Sequence, residues 1–110
     1  MYLPKTDVYN SLKTLPYYVS QTQPAIFTDL PAIVFNVGNN SVSADLDGGI
    51  SSQDIEIQID IWAEDSVTAS TVLSQVEELM RSNLYIMSFS NDVPNVSSLY
   101  HTVCRFTKLV

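Results

Sequence analysis

The side chains able to do chemistry are few and widely separated. His101 is the only histidine and Cys104 the only cysteine. A Cys–His pair catalyses acyl transfer when the imidazole takes the thiol proton, which needs both groups on one surface and a third group to orient the base. Residues an odd number of positions apart on a strand point to opposite faces. His101 and Cys104 therefore do not meet within one strand. Cys104 reads as a small apolar core residue and His101 as a surface or half-buried strand residue. Asp45, Asp47 and Asp54 invite a calcium reading, but they lack the DxDxDG spacing and the closing bidentate glutamate. The Gly48–Gly49 pair sits in neither a GxGxxG nor a Walker pattern, so it predicts no phosphate loop. Glu56 and Asp60 share the outer face of an extended stretch, four positions apart, too far for an acid–base pair. The sequence predicts no catalytic residue, no metal ligand and no cofactor, and hence a protein that is not an enzyme.

The elements that would position these groups are far more legible. In DIEIQIDIWAED, Ile55, Ile57, Ile59 and Ile61 alternate with Glu56, Gln58 and Asp60. A period of two with β-branched residues on the apolar side describes a strand with one buried face. Trp62 falls on the polar side. It reads either as covered by an N-terminal segment holding Tyr17, Tyr18 and Phe27, or as an anchor at a protein contact. The rhythm then changes. Ala69, Val72, Leu73, Val76, Leu79 and Met80 recur at helical spacing, with Asp65 or Ser66 as the cap, Glu77 and Glu78 facing solvent and Arg81 suiting the C-terminal end.

Upstream, Thr6 can cap a short helix from Asp7, carrying Val8, Leu12 and Leu15 and ended by Pro16. Tyr17 to Ser20 reads as helix or strand, and Ala25 to Phe27 as a short extended piece before a turn around Asp29. Pro31 opens the strand AIVFNV, and Gly38, Asn39 and Asn40 carry turn chemistry. The segment SVSADLDGGISS has two layouts. Either it is a long loop, or the flanking strands extend to a hairpin tip near Asp47–Gly49, which gives Val42, Leu46 and Ile50 a place. After the main helix, Leu84 to Phe89 reads as a strand, SNDVP as a turn, and Ser98 to Val110 as a closing strand. The expected fold is α+β, an antiparallel sheet of about four strands with helices packed on one face, in the order α-β-β-α-β-β, as a single domain over residues 1–110.

Charge narrows the partners. The net charge is −7, and no Lys or Arg occurs between Lys13 and Arg81. Such a chain has few cations with which to displace phosphate counterions, which argues against specific nucleic-acid binding. Acidic surface serves solubility, and it also repels nucleic acid or attracts a basic protein. No apolar run approaches the ~20 residues needed to cross a bilayer. The opening MYLPKTDVYN predicts no signal peptide. One cysteine excludes an internal disulfide and suits a reducing compartment.

Taken together, LPAIVF, the Gly/Asp-rich hairpin, IEIQIDIWAED running straight into a helix, and the closing LYHTVCRF resemble the tail terminator or tail completion proteins of tailed bacteriophages. The junction with Gln58, Asp60, Trp62 and Ala63 is the most specific part of that resemblance. It implies a structural virion protein, assembled in the host cytoplasm and placed at the head–tail junction. There a homo-oligomeric, six-fold ring would stop growth of the tail tube and join it to the head connector or stopper. The implied partners are the protein itself, the tail tube protein and the connector, with DNA passing through the ring and no membrane involved. Candidate assembly contacts are Asp45, Asp47, Gly48, Gly49, Asp54 and Trp62, the acidic ones placed to repel the passing genome. Another neck or connector component is the near alternative. A small bacterial ligand-binding α+β domain, with an apolar cavity between helix and sheet, is the alternative from a different class.

Overall fold

The computed structural model describes residues 4–21, 30–44, 50–93 and 99–109. In chain order the elements are α1 (Pro4–Leu12), β1 (Tyr18–Ser20), β2 (Ala32–Ala44), β3 (Ile50–Ala63), α2 (Ser66–Ser82), β4 (Ile86–Val93) and β5 (Tyr100–Leu109). The fold is α+β, as the sequence predicts. The strands form one sheet in the order β1-β2-β3-β5-β4. The pairs β2–β3, β3–β5 and β5–β4 are antiparallel. The three-residue β1 lies parallel to β2, with Tyr18 opposite Ala32. This corrects the expectation of about four antiparallel strands in the order α-β-β-α-β-β. The sheet is mixed and has five strands among the described residues.

The core follows from the alternation in β3. Ile55, Ile57, Ile59 and Ile61 are fully buried, each contributing roughly 1.5–3 kcal/mol by leaving water. Their register partners Phe35, Ile33, Cys104 and Phe106 extend the same layer. Val72, Val76 and Met80 of α2 and Val8 and Leu12 of α1 close over it, so both helices cover one face. Asp65 caps α2 by accepting the Thr68 N–H at 2.7 Å, and Arg81 pairs with Glu77 at 3.6 Å in the last turns. α1 starts earlier than expected. Pro4 opens it, proline being preorganised for a first turn, and Thr6 lies inside the helix rather than capping it.

Two predicted turns are strand. Gly38 forms a β-bulge in β2, where the register slips between Val37 and Asn39. A side chain there would meet Glu56 Oε1 at 3.2 Å, so glycine fits the crowded bulge. Residues 90–93 continue β4, because Ser90, Asn91, Asp92 and Val93 pair with β5 from Cys104 to His101. The Thr102 hydroxyl donates to Asp92 at 2.9 Å and helps hold that pairing. Tertiary pairing outweighs turn propensity at both places. Tyr17 to Ser20, open between helix and strand, ends in β1. Phe27, the Ala25–Phe27 piece, the Asp29 turn and Pro94 lie outside the described residues.

β2 and β3 form the extended hairpin rather than a long loop. Asp54 is the last β3 residue paired on both sides, to Ser41 and to Leu109. Beyond it Val42–Gln53, Ser43–Ser52 and Ala44–Ile50 pair only across the hairpin, among the described residues. The molecule spans 54 × 26 × 22 Å, and its radius of gyration of 15.1 Å exceeds the ~13 Å of a compact chain this long. A two-stranded arm projects from the sheet.

Candidate functional site

The face of the sheet opposite the helices carries the polar positions of β3. Trp62 and His101 are register partners there, and their rings stack at 3.8 Å between centroids and 10° between planes. Asp60, two residues along, brings Oδ1 to 3.3 Å from His101 Nε2, at an angle outside hydrogen bonding. Gln58 donates to the same carboxylate at 3.4 Å. Asp60 and His101 are both mostly shielded from water. The sequence placed these groups on one strand face each, but it gave no register between β3 and β5. That register is what joins them.

Trp62 is 9% exposed and packs with Ala32, Val34, Leu30 and Leu99. The covering reading of Trp62 fits this burial, although the cover differs from the one expected. Tyr17 lies on the helix side, where its hydroxyl donates to Gln75 at 2.6 Å. Tyr18 shares the open face with Ala32 but stays exposed. Of the other candidate contacts, Asp54 is exposed at the root of the arm. Asp45, Asp47, Gly48 and Gly49 lie outside the described residues.

The Asp60–His101 pair has the form of a base with its orienting carboxylate, but it faces no nucleophile on its own strands. Cys104 pairs with Ile59 and points into the core on the other face. Burial, with a smaller contribution from Asp60, pushes its thiol up to about 12, so it stays protonated at neutral pH. Its Sγ–H donates to the Ile59 carbonyl at 3.4 Å. Thr102 also sits on the core side, bonded to Asp92. Two surface clefts lined by described residues, of about 180 Å³ beside Phe35–Val37 and about 260 Å³ beside Leu15 and Leu79, fall below the ~300–1,000 Å³ of a small-molecule site. The cluster is a packed polar corner of the sheet.

The exposed apolar side chains escaped the sequence reading. Val67, Tyr100, Leu84 and Ile86 are all open to water. Leu84 carried one signal, its position just past the helical stripe, where a helix C-terminus takes glycine. No family model matches the chain, and no curated protein is significantly similar to it.

Proposed function

We propose that this protein is a structural component of a tailed-phage virion, a tail terminator or tail completion ring that ends the tail tube and joins it to the head connector. The observation that carries the reading is the hairpin arm. Strands of thirteen and fourteen residues run past the neighbouring strands and end in a ribbon with no sheet beside it among the described residues. A two-stranded ribbon is marginal alone in water and gains stability when a neighbour covers it. The supporting side is chemical. The nearest approach to a catalytic arrangement, Asp60 with His101, faces no nucleophile on its own strands, and Cys104 is buried and protonated. The charge of −7 suits a ring through which DNA passes without sticking.

The test is deletion of the gene from its source genome, followed by electron microscopy of the particles. Filled heads beside unjoined tails of uncontrolled length are expected. Unjoined tails of normal length would move the role to another neck component. Normal infectious particles would overturn the virion reading.

A further inference from the structure

The corner where β3 meets β5 leaves one polar atom unaccounted for. His101 Nε2 is shut off from water and meets no hydrogen-bonding partner among the described residues, although Asp60 Oδ1 lies 3.3 Å away. Gln58 Nε2 reaches the same oxygen at 3.4 Å. Both distances exceed the roughly 2.7–3.2 Å of a well-made N–H···O bond. A buried polar atom without a partner in a native fold points to a water or an ion.

Geometry favours the ion. Two ligands held at about 2.0–2.1 Å from a tetrahedral centre stand roughly 3.3 Å apart. The spacing of His101 Nε2 and Asp60 Oδ1 matches that bite, and the two atoms miss the line of a hydrogen bond, as donors converging on a third point do. An imidazole nitrogen beside a carboxylate oxygen suits a first-row divalent metal. No cluster of three or more His, Cys, Asp or Glu forms among the described residues, so the third donor is the Gln58 amide, whose oxygen and nitrogen change places by a half-turn.

The strands hold these donors before any ion arrives. Gln58 and Asp60 lie two apart on one face of β3, and His101 stands on the same face of β5, opposite Trp62. The stacked Trp62 ring, 3.8 Å away and 10° from parallel, sets the plane of the imidazole. Trp62 is itself packed on Ala32 and Val34. Val34 and Val103, the register partners of Asp60 on either side, are apolar and keep bulk water back. The net charge of −7 draws cations toward the molecule. Arg105, opposite Gln58, is exposed, so water and salt screen its opposing charge.

We propose that Gln58, Asp60 and His101 bind a divalent first-row metal ion, with zinc the best fit, and that the ion ties β3 to β5 with its fourth position left to water. Such a site is independent of any role in the virion.

The test titrates Co²⁺, a spectroscopic stand-in for Zn²⁺, into the untagged whole chain while following the emission of Trp62, the sole tryptophan. A paramagnetic ion beside the stacked ring quenches it. Saturable quenching at one ion per chain is expected, with recovery when Zn²⁺ displaces the Co²⁺, and Zn²⁺ alone is expected to raise the melting temperature. His101→Phe keeps a ring on Trp62 and removes the donor, so the quenching and the melting shift are expected to vanish. Asp60→Asn is expected to weaken binding by ~10-fold or more, and Gln58→Glu, which adds a charged donor, to tighten it by ~10-fold. Those two near-isosteric changes move binding in opposite directions and decide the matter if His101→Phe does not fold. Quenching that rises without saturating, that survives His101→Phe, or that Gln58→Glu leaves unchanged would each overturn the site.

Discussion

At the scale of single residues, Cys104 shows how position cancels reactivity. Its thiol, raised to about 12, is protonated in the fold, whereas in the unfolded chain it ionises near its ordinary value of 9.0. The folded state therefore holds more protons between those values. Stability from this group is complete below pH 9 and is lost as pH rises toward 12, by up to ~4 kcal/mol at about 1.4 kcal/mol per unit. Urea titrations of the wild type and Cys104→Ala at pH 8 and pH 10.5 check this. The wild type is expected to lose more than the variant, and folded protein at pH 8 is expected to react with a thiol reagent only as fast as it unfolds. Cys104 as a core residue was legible, because a lone cysteine in a β-branched, aromatic strand has little else to do. The company of His101 was not. Asp60 and Trp62 meet it through cross-strand register, and one sequence carries no record of which strands pair.

At the scale of elements, periodicity was a sound guide and turn chemistry was not. The isoleucine alternation and the stripe from Ala69 to Met80 gave β3 and α2, whose amphipathic faces are set by local spacing. The glycine and asparagines after Val37, and the SNDV after Phe89, look like turns, but neighbouring strands held them in the sheet. The end of α2 offers a test. Replacing Leu84 by glycine removes the strain of its positive φ and is expected to raise stability by up to ~1 kcal/mol in urea unfolding. The start of α2 offers another. The Thr68 amide lowers the Asp65 carboxyl below its ordinary value by hydrogen bonding, so the cap contributes above pH 4 and is lost as pH falls through the lowered value. The melting temperature of Asp65→Ala is expected to lie below wild type at pH 7 and to converge with it in acid.

At the scale of the molecule, the arm and the body should be separable. Replacing residues 43–52 by Asn-Gly would close a two-residue turn across the Val42–Gln53 pair. Since the arm past Asp54 pairs only with itself among the described residues, the melting temperature is expected to move by less than ~5 °C, while head–tail joining in virions is lost. Virions with normal joining would take the arm out of the function. The hairpin was legible from its idle apolar residues, but the strand order was not, because it is a long-range property. That order has its own consequence. α2 carries the chain from β3 across to β4, leaving between them a gap that β5, the latest of the described strands, must fill. Until a ribosome has delivered Tyr100 to Leu109, two strand edges stand open at the middle of the sheet. The middle of the sheet therefore closes only once β5 is available, and until then the facing edges of β3 and β4 are open to pairing with another chain.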